Sequence, residues 1–199
     1  MKKIFYFVML STLVLSLPIN AQYKGYEKSV EIGYAIGVGE YNNNILNLSM
    51  INGYRFNNTF YAGIGVGVGY SDALNGVDIS TENVTTEYRT EAILIPIFAH
   101  IKFNLNKDNK ISPFLSLNAG YTLDANQYLR DAPGFYLQPN FGVDNKLTDK
   151  TSIYGLVGLN LQHFNYSYTR NVTTTDSDWD ITTKSEMLKA IEIKVGFKF

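Results

Sequence analysis

Residues 60–70 read FYAGIGVGVGY, and their spacing decides the fold. Phe60, Ala62, Ile64, Val66, Val68 and Tyr70 fall in one phase, and Gly63, Gly65, Gly67 and Gly69 in the other. Successive side chains of a strand point to opposite faces, so this period of two gives one apolar face and one almost bare face. A phosphate-binding loop also repeats glycine, but it needs a strand, a tight turn and a helix. Here Gly recurs at every second position inside a single strand. The reading that fits is small residues relieving crowding inside a narrow barrel.

The same alternation extends in both directions. Val30, Ile32, Tyr34, Ile36 and Val38 stand against Glu31, Gly33, Ala35 and Gly37. Leu46, Leu48, Met50, Tyr54 and Phe56 oppose Asn47, Ser49, Gly53 and Arg55. Further runs carry Ile93 to Phe103, Leu115 to Leu123, Phe135 to Val143, Ile153 to Leu161 and Ile191 to Phe199 in the apolar phase. That makes eight strands of about ten residues each, and no helical period of useful length competes. We therefore expect an all-β fold, an eight-stranded antiparallel up-and-down transmembrane β-barrel.

Alternation alone leaves the inward face open, because a soluble barrel alternates too. Three features place the apolar face outside. The minor face is rich in Gly, Ser and Asn and carries both signs of charge (Glu31, Arg55, Lys102, Glu192, Lys194), which suits a narrow polar lumen. The connections alternate in length. Short turns at Asn57–Thr59, Asn104–Lys110 and Thr148–Thr151 contrast with Ser71–Glu87, Asp124–Pro133 and Ser167–Lys184 at the other end, where only Glu40–Asn44 is short. Short inner turns and long outer loops are the habit of outer-membrane barrels. The last strand ends in the apolar phase, on Phe199.

Lys2 and Lys3 followed by IFYFVMLSTLVLSLPI (residues 4–19) and Ala21 have the order of a secretory signal peptide over residues 1–21. The domain expected to remain is residues 22–199, with the barrel from about 27. Removing Lys2 and Lys3 from the 17 basic residues leaves 15 against 18 acidic ones, a charge of about −3. The chain has no cysteine, which excludes disulfides and Cys-based zinc sites. A near-neutral charge gives no footprint for nucleic acid.

The terminal IEIKVGFKF, with Ile191, Ile193, Val195, Phe197 and Phe199 on one face, resembles the strand recognised by the outer-membrane barrel insertion machinery. LIPIFAHIKFNL (94–105), SPFLSLNAGY (112–121) and GFYLQPNFGVDNKL (134–147) resemble the small outer membrane protein β-barrel domain family of Gram-negative bacteria. In size and plan the chain is similar to OmpA- and OmpX-type barrels, often labelled porin-like. The resemblance implies a location in the cell outer membrane, contact with its lipid and lipopolysaccharide, and insertion through Phe199. That family shares no catalytic residues to carry over.

Some residues sit awkwardly. Pro96 and Pro139 fall within strands and cannot donate to a ladder, so a bulge or a missing ladder bond is expected at each. His100 and Lys102 should lie near the inner rim. His163 and Lys189 fall in the lipid-facing phase, tolerable only near the edge of the apolar band. Tyr34, Tyr54, Tyr70, Tyr121 and the terminal Phe residues are expected in the aromatic girdles.

Candidate chemistry is thin. Asp176, Asp178 and Asp180 (DSDWD) suit a hard cation in kind, but the loop lacks the Gly and Glu of an EF-hand and reads better as a solvated acidic loop. His163 precedes Ser167 and these aspartates, the residue types of a hydrolytic rim site, without the geometry a general base requires. We assign no catalytic residue, no metal ligand, no cofactor and no enzymatic activity. Val77–Tyr88 and Tyr166–Thr183 are rich in Thr, Val, Ile and Tyr, which favour strands; these stretches read as ordinary polar loops or, alternatively, as outer hairpins that continue above the membrane as β-ribbons, whose edges accept a partner strand. The function expected is a monomeric structural or surface-interaction barrel whose outer loops meet an extracellular ligand. A narrow pore is the alternative and a lipid-modifying enzyme at the outer rim the minor one. No soluble periplasmic domain is expected.

Overall fold

The computed structural model describes residues 25–38, 44–71, 92–106, 110–125, 134–148, 150–171 and 179–199. Residues 1–24, which include the expected signal peptide, and most outer-loop residues lie outside this set. Eight strands follow in chain order: β1 Gly25–Val38, β2 Ile45–Arg55, β3 Phe60–Ser71, β4 Ala92–Asn104, β5 Ile111–Asp124, β6 Phe135–Lys146, β7 Ser152–Asn171 and β8 Trp179–Lys198. Each pairs antiparallel with the next, and β8 closes on β1. Closure leaves no edge within the wall, which is what lipid demands of a β-structure.

The inner turns are built by their own side chains. Asn57 Oδ1 accepts the backbone N–H groups of Thr59 and Phe60, both at 2.8 Å. Thr148 Oγ1 accepts those of Lys150 and Thr151 at 3.2 and 3.0 Å. Asn and Thr hold tight turns in this way because their oxygens reach backbone donors two or three residues on.

The ladders fix the shape of the cylinder. From Lys28 the partners run Asn52, Ile64, Ala99, Ala119, Leu137, Leu161 and Lys189, then return to β1 at Val38, ten residues on. With about 3.3 Å per residue and about 4.8 Å between strands, a shear of ten tilts the strands by about 41° and sets a backbone radius of about 8 Å. Each residue then climbs about 2.5 Å along the axis, and each step to the next strand about 3.1 Å.

These increments give every residue a height, counted here from Lys28. Tyr54, Phe60, Phe103 and Phe199 fall between about −4 and −1 Å, and Tyr34, Tyr121, Tyr70 and Phe135 between about 15 and 21 Å. The two aromatic levels bracket a band close to the ~25 Å expected of such barrels. Inside it the outward positions are apolar and uncovered: Ile64 is 68% exposed, Ile193 58% and Leu48 48%. The inner girdle contains residues that the alternation did not flag. Tyr26, Tyr54, Phe56, Phe60 and Phe103 form a continuous chain of rings with centroids 5.0–5.5 Å apart.

Both prolines interrupt a ladder, and neither makes a bulge. The β3–β4 pairing skips from Val66↔Ile97 to Gly69↔Leu94 around Pro96, and β6–β7 skips from Leu137↔Leu161 to Asn140↔Gly158 around Pro139. The register is unchanged across each gap, so the outcome is lost ladder bonds at the missing N–H.

Candidate functional site: the lumen and the outer hairpin

The inward positions of the strands fill the lumen in three layers. The inner layer lies at the level of the inner aromatic girdle. Arg55 grips Glu27 with Nε on Oε1 at 2.5 Å and Nη2 on Oε2 at 2.9 Å, and Lys198 lies 4.0 Å from the same carboxylate. Lys102 donates to Asp144 Oδ2 at 2.9 Å and stands over the rings of Phe114 and Tyr154 at 3.8 and 4.6 Å.

The middle layer crosses the membrane midplane. Lys194 Nζ lies 3.6 Å from Glu31 and 3.5 Å from Glu192, and donates to Gln138 Oε1 at 3.0 Å. Glu192 also accepts amide donors from Asn47, Gln138 and Asn160. Tyr154 donates to Glu31 Oε1 at 2.8 Å. Gln138 Oε1 collects Asn118, Tyr136 and Lys194. Glu31, Gln138, Glu192 and Lys194 are all 0–3% exposed. Charges this deep persist only when paired and hydrogen-bonded on several sides.

The outer layer combines an apolar cluster with the buried polar side chains of Ser71, Thr122 and Gln162. Ala35, Ile45, Leu94 and Ala190 pack together at 0–5% exposure. The polar lumen expected from Gly, Ser and Asn thus also holds large rings: Tyr61, Phe98, Phe114, Tyr136 and Tyr154. The glycines explain how they fit. A Cβ on Gly65 would collide with the ring of Phe98, on Gly142 with that of Phe114, and on Gly196 with that of Tyr154. A bare backbone position on one strand receives an aromatic ring from another, which fills a lumen too wide for small residues alone.

A small cavity remains below the middle layer, about 20 Å³ in volume, walled by Glu31, Tyr61, His100, Lys102, Phe114 and Tyr154 among others. Glu31 Oε2 has no hydrogen-bond donor within reach. A polar cavity of this size holds a water or two.

The residues singled out by sequence divide as follows. Lys102 lies at the inner rim. His100 lies deeper than expected, about 7 Å up, where its Nδ1 meets Asn118 Oδ1 at 2.5 Å. The reason is the tilt, which places adjacent inward residues of one strand in different layers. His163 and Lys189 lie at about 24 and 22 Å, level with the outer girdle. Ser167 follows His163 by four residues of paired strand, about 13 Å along the chain, so the two do not form a hydrogen-bonded dyad. Asp176 and Asp178 lie outside the described residues, as does the hairpin over 77–88. Among the described residues no three His, Asp or Glu converge to hold a metal ion.

The second feature is the outer hairpin. β7 and β8 stay paired from Ser152↔Lys198 to Asn171↔Trp179. Among the described residues the neighbouring ladders extend no further than Tyr136↔Gln162 and Val38↔Lys189. Beyond His163 the pair continues for eight residues, about 20 Å past the outer girdle at the same tilt, as a two-stranded ribbon.

No family model matches this chain, and no curated protein sequence matches it. Solved structures do match in fold. Outer membrane protein OprG from Pseudomonas aeruginosa is 12% identical, over 89% of this chain and 97% of that one, with a TM-score of 0.54. Neisserial surface protein A is 13% identical, over 87% of this chain and 96% of that one, with a TM-score of 0.50. Closure in eight strands, an apolar outer wall between two aromatic levels and a filled polar lumen make this chain a transmembrane β-barrel with the fold of the small outer-membrane proteins.

Proposed function

We propose that the protein works at the cell surface as a structural and contact barrel, its wall serving as anchor and its outer hairpins as the part that meets a ligand. One observation carries this reading. The lumen is occupied by a paired charged cluster with an apolar cluster above it, whereas β7 and β8 run about 20 Å beyond the outer girdle. Ribbon edges expose unpaired N–H and C=O groups, which accept an extended strand. In this reading the protein is a monomer, the insertion machinery engages β8 through Phe199, and no catalytic step is involved.

The test is single-channel recording on the refolded protein in planar bilayers, with and without the ribbon residues 164–186. The expected result is a membrane without steady openings in both forms. Steady openings that survive removal of the ribbon refute the reading in favour of a narrow conduit. Such a path needs the Glu31–Lys194–Glu192 layer to part.

A further inference from the structure

The lipid-facing wall carries little charge, and its charges are placed at its edges. Across the outward positions of the eight strands, the charged residues with described side chains are Lys28 and Lys189. Lys28 lies at the inner girdle and is 4% exposed. Lys189 is exposed and sits about 22 Å higher, level with Phe135 and Tyr70.

We propose that Lys189 binds the phosphate of an outer-leaflet lipid headgroup, with His163 beside it. The register supplies the setting. Leu161 stands opposite Lys189 on β7 and Val38 opposite it on β1. His163 is the diagonal neighbour, opposite Met187. Below them Ile191 and Leu159 continue the apolar wall. An acyl chain packed on that wall brings its headgroup to the height of the amine.

Three physical points converge on phosphate. A cation within the apolar band is costly, and the cost vanishes at the boundary, where the flexible stem of a lysine carries its amine into the headgroup layer. Lys presents a compact point charge with three donors, which suits a phosphate approached from one side. Among the described residues no carboxylate pairs with Lys189, whereas Arg55, Lys102, Lys194 and Lys198 all face acidic partners in the lumen. The wall therefore places an exposed lysine at the level where outer-leaflet phosphates lie. This site is independent of whatever the ribbon contacts.

Native mass spectrometry of the full-length folded protein tests this. The probes are a bis-phosphorylated lipid A and the same lipid stripped of its phosphates. One lysine at an anionic interface predicts about a fivefold preference for the phosphorylated form. Lys189→Gln should bring that preference to within about twofold, while Lys189→Arg and Lys150→Gln, the latter in an inner turn, keep it. Heat-modifiable gel mobility establishes that each variant is folded. Retention of the full preference in Lys189→Gln, an equal loss in Lys150→Gln, or no preference in the parent protein overturns the proposal. In the last case acyl packing alone holds the lipid.

Discussion

Ile193 and Met187 lie on the same strand, face the same way and differ chiefly in depth, so one charge placed at each position measures the wall directly. Ile193 is 58% exposed and lies at about 12 Å, close to the middle of the band, whereas Met187 is 49% exposed at about 27 Å, beyond the outer girdle. An arginine on the lipid face of a barrel costs about 2–4 kcal/mol at the midplane and about 0–1 near the interface. Ile193→Arg should therefore destabilise by about 2–4 kcal/mol and Met187→Arg by less than about 1, a difference corresponding to at least about fivefold in the folding equilibrium. The assay is a reversible urea titration of the protein refolding into lipid vesicles, read by tryptophan fluorescence or gel mobility. A loss below about 0.5 kcal/mol for Ile193→Arg, or equal losses for the two variants, refutes the outward assignment of β8. Because β8 pairs with both β7 and β1, the assignment of the whole wall fails with it. Every neighbouring register is tied to that strand.

Inside the barrel, Lys194→Met leaves Glu31 and Glu192 facing each other without their shared cation and should cost about 3–5 kcal/mol in the same titration. Adding Glu31→Gln should recover more than half of that loss, since Glu192 keeps its amide donors; no recovery means the two carboxylates do not share Lys194. Gly65→Ala drives a methyl into the ring of Phe98 and should cost about 1–3 kcal/mol, relieved when Phe98→Leu is added. Replacing residues 164–186 by a tight Asn-Gly turn should change barrel stability by less than about 1 kcal/mol, because the ribbon lies beyond the last wall ladder; a larger loss would show that it braces the wall.

The period of two gives strand count and topology, because the pleat ties side-chain direction to position parity along each strand, and the small, charge-carrying minor face and the unequal loop lengths then decide which face is outward. Extension of β7 and β8 over Tyr166–Thr183 was legible for a similar local reason, in the Thr, Ile and Tyr content of that stretch. The interior was not legible in the same way. Glu31, Gln138 and Lys194 come from strands β1, β6 and β8, and their meeting depends on how far each strand slides past the next. That slide sums to ten only when the sheet closes, so no single segment encodes it. The same closure places His100 at mid-depth though only two residues separate it from Lys102 at the rim.

Closure also decides what kind of function the chain can perform. A shear of ten leaves a lumen about 8 Å in backbone radius, and five buried aromatic rings, three of them (Phe98, Phe114 and Tyr154) seated over glycines of a neighbouring strand, fill what the short side chains leave. Opening a path through it requires moving rings, parting a three-charge cluster and separating an apolar cluster in concert. The charged cluster and the apolar cluster both draw on β1 and β8, so moving either one disturbs strands that hold the other. The outer hairpin has no such constraint. Among the described residues its strands pair only with each other beyond His163, so changes of sequence there leave the described wall ladders intact. Evolution of a new contact is therefore least costly at the ribbon, which is the physical reason to look for the protein's partner there and not along its axis.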